Sequence, residues 1–316
     1  MIKNCLAPST LVQYNNQINR FRDFCVLRGL KFPPEFPCYI AEYLRHLAGH
    51  STRPKSILTI NVSAIKYLYH ALDLPNPCDD NIRYLITALV KSQTEIPRTR
   101  VNILPKEPFN ALFQSWPDNE SLSVKRLRLK VITLLAFAFM LRPSDIAPKS
   151  IRSKDGIEER LIFSTDNVTF HENGDLELQF FGIKNDTHRE GFCVRIPPVS
   201  DAKLDPVSSL RVYINRTESI RPPEHRPVFL TCKKPYTAIV ASTVSKILED
   251  AIYLAGLETS QYSAKCFRPT GATRAIEAGC DPDKARRIGR WKTPSVFFEH
   301  YVYDKTPMGY TDSVML

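Results

Sequence analysis

The stretch VITLLAFAFML, Val131 to Leu141, restricts this chain more than any other feature. It follows the basic run KRLRLK and stops at Arg142. A membrane span takes about 20 apolar residues, so this run is too short to cross a bilayer. Apolar on all sides, it has to be a helix surrounded by other elements. The chain must therefore build a large core around it, and 316 residues with 43% hydrophobic and 24% charged content allow that, with room for two domains. No basic amphipathic anchor or lipidation motif is seen, so no membrane partner is expected. The N-terminal MIKNCLAPST lacks the apolar region and cleavage site of a signal peptide. Eight cysteines occur without a C-x-x-C pair or a His at metal-ligand spacing, which predicts reduced thiols and no structural zinc.

Helical periodicity marks four segments in the first hundred residues. Thr10 is the expected cap of a helix carrying Tyr14, Ile18, Phe21 and Cys25, with Gly29 as its stop. Ile40, Tyr43, Leu44 and Leu47 mark a second, and Leu58, Val62, Ile65, Tyr69 and Leu72 a third. Ile82, Leu85, Ile86 and Leu89 mark the fourth. SQTEIPRTRVNILP then has no period and reads as an exposed linker, which places a boundary near Arg100 and domains at 1–101 and 102–316. Beyond it come a helix around Phe109 to Phe113 and the core helix, expected to run from Val124 to Leu141. Strand signals follow in RLIF, NVTF, LELQFFGIK and FCVRIP, with HENGD and NDTHREG as turns. Further helices start at Asp205-Pro206, Ser242 and Arg268, and Thr293-Pro294 reads as the cap and first residue of the last. The fold class is mainly α with a small antiparallel sheet.

The net charge of +10 suits a polyanionic partner. Residues 1–101 hold 13 Lys and Arg against 7 Asp and Glu, so the first part is the more basic. Charges also stand where a packed domain would not ordinarily place them. Arg142 closes the most apolar helix in LRPSDI, with Asp145 three residues on, and a structural Arg142/Asp145 pair is the plain reading. Lys184 ends a strand and enters a polar hairpin, where a solvated lysine is the ordinary case. Arg268, in KCFRPTGAT, falls at an expected helix N-terminus, where guanidinium and backbone N–H groups together make an anion site. Arg290 and Trp291 precede Tyr301 in GRWKTPSVFFEHY.

In order and spacing, Arg142, the hairpin Lys184, K-x-F-R-P-T-G-A-T at 265–273, G-R-W at 289–291 and Tyr301 resemble the tyrosine recombinase (phage integrase) family. The ending looks most like the eukaryotic DIRS-type and Crypton-type transposon members. The resemblance implies an N-terminal four-helix, SAM-like core-binding domain and a C-terminal α+β catalytic domain. It implies a DNA-cleaving and rejoining enzyme of transposable-element origin, acting on double-stranded DNA as a tetramer in the nucleus, or in the cytoplasm of a prokaryote. No metal and no cofactor are implied. Tyr301 would be the nucleophile, Arg142 and Arg268 would hold the non-bridging phosphate oxygens, and Lys184 would protonate the 5′ oxygen. Asp145 and Arg290 would support, and Trp291 would hold the nucleophile. Lys265 stands where most members carry His and could still donate to the phosphate, and Arg290 stands where many members carry His after the Gly. Tyr303 competes with Tyr301, and helix geometry lets only one of them face a phosphate. The alternative is a domesticated DNA-binding protein of the same fold that no longer cleaves.

Overall fold

The computed structural model describes residues 6, 8–92, 101–147, 163–181 and 191–301, with the backbone alone at 8 and 299–301. The chain divides into two compact units, 1–99 and 100–316.

The first unit holds α1 (Pro8–Leu27), α2 (Pro37–Gly49), α3 (Pro54–Ala71) and α4 (Asp80–Lys91). The apolar positions of each pattern meet in one core, built on Phe21, Cys25, Ile40, Tyr43, Leu44, Leu58, Ile65 and Tyr69. Inside it the Tyr43 hydroxyl donates to Asn61 Oδ1 at 2.9 Å, and Asn61 Nδ2 donates to the Ile57 carbonyl at 2.8 Å. The buried polar groups are thereby satisfied, as burial requires. α1 begins at Pro8 rather than after Thr10, because proline is already set for the first helical position. Asp79 caps α4 by accepting the Ile82 N–H at 3.1 Å.

The second unit opens with α5 (Glu107–Gln114), α6 (Val124–Ala138) and the single turn α7 (Pro143–Ile146). β1 (Val168–Phe170), β2 (Leu176–Phe180) and β3 (Phe192–Ile196) follow, then α8 (Pro206–Thr217), α9 (Ala241–Leu254), α10 (Phe267–Glu277), α11 (Pro282–Ile288) and α12 (Pro294–Tyr301). The sheet runs β1-β2-β3, antiparallel throughout, with Phe170 opposite Leu176, Leu178 opposite Val194 and Phe180 opposite Phe192. Leu176, Leu178 and Phe180 point inward, and Glu177 and Gln179 alternate away from them. Of the RLIF segment only Phe163 lies within the described residues, and it is not in the sheet.

The central helix α6 packs against α8, α9 and α10, which is why its apolar run has no polar face. It ends at Ala138, three residues before the apolar run does. Pro143 disfavours helical backbone at Arg142, which is extended at φ −84° and ψ 154°, and the chain leaves the helix through Met140 at φ +51°. The sequence reading also passed over α11. Its signal was present in Asp281-Pro282, where Asp281 Oδ1 accepts the Lys284 N–H at 2.8 Å.

The segment entering this unit is fastened to α10 and the turn before it. Leu104 N–H donates to Thr270 Oγ1 at 2.9 Å, Arg274 Nη2 donates to the Leu104 carbonyl at 2.9 Å, and Asn102 Nδ2 donates to the Gln261 carbonyl at 2.9 Å. Among the described residues no helix is long and apolar enough to cross a membrane.

Candidate active site

α6 and α11 finish in the same way. Each closes with a 6→1 bond, Leu141 N–H to the Ala136 carbonyl at 3.2 Å and Trp291 N–H to the Arg286 carbonyl at 3.1 Å. The residue that must turn left-handed in such an ending is usually glycine. Here it is Met140 at φ +51° and Arg290 at φ +59°. A side chain in that region costs about 1–2 kcal/mol, so the surroundings have to hold it there.

One guanidinium does much of that holding. Arg268, in the first turn of α10, donates from Nη1 to the Met140 carbonyl and from Nη2 to the Gly289 carbonyl. Its positive charge thus sits at two helix C-termini, where the aligned peptide dipoles favour it. The guanidinium carbon lies over the Trp291 ring, 4.0 Å from the centroid. Arg268 is 4% exposed. The guanidinium expected to make an anion site with the helix N-terminus thus has carbonyl partners in this structure. A 3-10 turn, Ala264–Cys266, runs directly into α10, and the guanidinium faces the ends of two other helices. Lys265, in that turn, is exposed.

Arg142 is the N-cap of α7, and its own N–H donates to Asp145 Oδ2 at 3.0 Å. Its Nη1 lies 4.0 Å from the same oxygen, is buried, and has no hydrogen-bond partner among the described residues. The Asp145 carboxylate is closer to Arg290, whose Nη2 donates to Oδ2 at 3.2 Å. Both side chains of this second pair are essentially sealed from solvent, at 0% and 1% exposure. The expected Arg142/Asp145 pair is thus a shared one, with Arg290 the nearer partner. Burial pulls the Arg290 pKa down, and Asp145 opposes that shift. Arg290 also donates from Nη1 to the Ile288 carbonyl at 3.0 Å and stacks on Phe180, 4.8 Å from the ring centroid.

Trp291 is buried between Arg268 and Phe297, whose ring centroid is 4.9 Å away. Gly289 lies so close beneath the indole that a Cβ there would overlap Cζ3, Cε3 and Cη2 of Trp291. Phe297 is fully buried with Met140, Ala272, Ala285 and Trp291, and fixes α12. Tyr301 is the last residue of that helix. The structure thereby brings Arg142, Asp145, Arg268, Arg290 and Trp291 into one connected cluster against the helix that ends at Tyr301. The Tyr301 side chain, Lys184 and Tyr303 lie outside the description. The reading from sequence missed Met140 and Phe180, and did not foresee that Gly289 makes room for the Trp291 indole. Among the described residues no group of His, Cys, Asp and Glu is arranged to hold a metal ion.

No protein-family model matches the chain. It is similar to an integrase/recombinase XerD homolog of Selenomonas ruminantium, with 24% identity over 291 residues, covering 91% of this chain and 79% of the relative. Among solved structures, the Tn1549 transposon integrase in complex with transposon right end DNA superposes with a TM-score of 0.59 at 12% identity, covering 99% of this chain and 94% of that one. XerH site-specific recombinase bound to a palindromic difH substrate, in a post-cleavage complex, gives 0.57 at 16% identity, covering 97% and 78%. The chain has the fold of these recombinases. In this chain α6 supplies the buried centre, Phe180 at the end of β2 packs on Arg290, and α10 and α12 supply Arg268 and Phe297 to the cluster.

Proposed function

We propose that this chain is a site-specific tyrosine recombinase, which breaks and rejoins double-stranded DNA through a 3′-phosphotyrosine. The observation that carries the reading is the connection of Arg142, Arg268 and Trp291 to the helix ending at Tyr301, in a fold shared with recombinases and integrases. Tyr301 Oη attacks phosphorus, its proton leaves, a phosphorus–oxygen bond to tyrosine forms and the bond to the 5′ oxygen breaks. Lys184 supplies the proton to that 5′ oxygen. Arg142 and Arg268 supply donors for the charge that accumulates on the non-bridging oxygens, a task that suits planar guanidinium forks, with Arg268 exchanging its carbonyl partners for phosphate oxygens. Rejoining is the same sequence reversed, so the phosphodiester energy is kept and no cofactor enters. The N-terminal unit is the core-binding domain, and the assembly on DNA is a tetramer. The transposon-like ending, Gly289 to Tyr301, supports an origin in a transposable element, with the chain acting in the nucleus, or in the cytoplasm of a prokaryote.

A second reading has a specific observation behind it. Arg268 is turned inward onto two carbonyls, and Lys265 stands in place of His. Both features suit a protein that binds DNA without cleaving it. A nicked DNA duplex with a 5′-thio leaving group separates the two readings, because departure of the thiolate traps the covalent protein. Trapping that is lost in Tyr301→Phe, with DNA binding kept, supports the recombinase. Loss in Tyr303→Phe instead moves the nucleophile, and no trapping on any bound duplex leaves the DNA-binding reading.

A further inference from the structure

We propose that Arg290 is a positioning residue, which sets Arg142 for the phosphate by way of Asp145; this rests on the recombinase reading. The two segments concerned are 145 positions apart in the chain, and no local rule joins them. A single carboxylate oxygen does so. Asp145 Oδ2 accepts the Arg142 N–H at 3.0 Å and Arg290 Nη2 at 3.2 Å, and Arg142 Nη1 lies 4.0 Å from it.

The charges decide which arginine is structural. Arg290 has a fully buried side chain, and the Arg142 side chain is 22% exposed. Arg290 neutralises Asp145 from the inside, so Arg142 need not fold back on that carboxylate, and its guanidinium stands apart at 4.0 Å. Without Arg290, the buried Asp145 would carry an uncompensated charge beside Arg142 and draw that guanidinium onto itself. The arginine meant for DNA would then be spent on a carboxylate. Arg290 is in turn over-determined: its left-handed backbone, its bond to the Ile288 carbonyl and its stack on Phe180 leave its guanidinium one direction. A histidine is too short to join Asp145 and Phe180 in this way, which accounts for arginine at a position where the resembling family often carries His.

The test is a double-mutant cycle on single-turnover cleavage of a duplex that the wild type cleaves, with DNA affinity measured alongside. Arg290→Met is expected to slow adduct formation about 100-fold, the loss that follows displacement of a catalytic group by about 1 Å, and to leave affinity within about 3-fold. In an Arg142→Ala background the same change is expected to cost less than about 3-fold, since its route of action is already gone. Arg290→Lys restores part of the rate, because it returns the charge beside Asp145. Asp145→Asn combined with Arg290→Met removes the uncompensated charge and keeps an acceptor for the Arg142 N–H, so it supplies a folded variant should Arg290→Met alone unfold. With no carboxylate to capture Arg142, it is expected to cleave faster than Arg290→Met; a double variant no faster than Arg290→Met overturns the proposal. Multiplicative losses in the cycle overturn the proposal, as does a Lys variant no faster than Met. A readout independent of cleavage is amide exchange across residues 141–146, expected to speed up about 10-fold in Arg290→Met while α6 stays protected. Unchanged exchange there also overturns it. If the wild type forms no adduct at all, the recombinase reading falls and the exchange experiment alone decides how Arg290 acts on the Arg142 turn.

Discussion

Replacing Gly289 by alanine should destabilise the second unit, although the backbone there is ordinary. Gly289 sits at φ −77°, where any residue is at ease, and exchanging glycine for alanine at such a position usually gains about 0.4–1 kcal/mol. The new methyl group, however, would occupy the space of the Trp291 six-membered ring. The indole cannot yield sideways, because Arg268 covers one region of it at 4.0 Å and Phe297 another at 4.9 Å. Displacing the ring forfeits a cation–π contact of about 0.5–2 kcal/mol and an aromatic contact of about 0.5–1.5 kcal/mol. Strain from overpacking adds about 1–3 kcal/mol. A net loss of about 2–4 kcal/mol corresponds to a fall in Tm of roughly 4–16 °C for a unit of this size. Both tryptophans of the chain, Trp116 and Trp291, belong to the second unit, so urea unfolding followed by tryptophan fluorescence reads that unit alone. Gly49→Ala, where a Cβ meets nothing within 4 Å, is the control, expected to be neutral or stabilising by circular dichroism. A Gly289→Ala protein as stable as wild type, with its tryptophan emission unshifted, would refute the seat described for Trp291.

Arg268→Ala should lose both cleavage, by about 100- to 1000-fold as for a missing oxyanion donor, and about 2–4 kcal/mol of stability, because two helix-end carbonyls lose charged donors; Arg142→Ala, at the edge of the cluster, should lose cleavage and keep its urea midpoint. Burial lowers the Lys130 pKa to about 8, below its unfolded value, so the folded protein is penalised wherever Lys130 is protonated and gains stability as pH rises from about 8 towards 10.5. Lys130→Met should therefore raise stability at pH 7 by about 1–2 kcal/mol, the relieved charge burial outweighing the lost bond to Asn119, and the difference between the two proteins should shrink by pH 10; a constant difference across that range counts against the assignment. Asp79→Ala should cost about 1 kcal/mol through the lost α4 cap, seen as faster amide exchange at Ile82. DNA affinity should fall with salt at a log-log slope of about −0.9 per phosphate neutralised, and a flat response counts against the DNA reading.

Elements that bury one stripe could be read from the sequence, because Leu58, Val62, Ile65 and Tyr69 repeat at helical spacing within α3 and the β2 residues alternate. The end of α6 could not, since apolarity continues through Leu141 and the left-handed turn falls on Met140 rather than on a glycine. The site was half visible. Arg142, Arg268 and Trp291 announce themselves as charge and indole beside apolar runs, but the direction of the Arg268 guanidinium is set by carbonyls of Met140 and Gly289, up to 128 positions away. The role of Arg290 depends on Asp145 and Phe180, and no periodicity encodes a contact of that range.

The bonds from Leu104 to Thr270 and Arg274, and from Asn102 to Gln261, bear on how modules of this kind can be exchanged. A chimera that grafts a foreign recognition module should be spliced upstream of Asn102. A junction placed after Leu104 would cut away a partner of Thr270, two residues from Arg268, and would loosen the Arg268 turn of the unit that receives the graft.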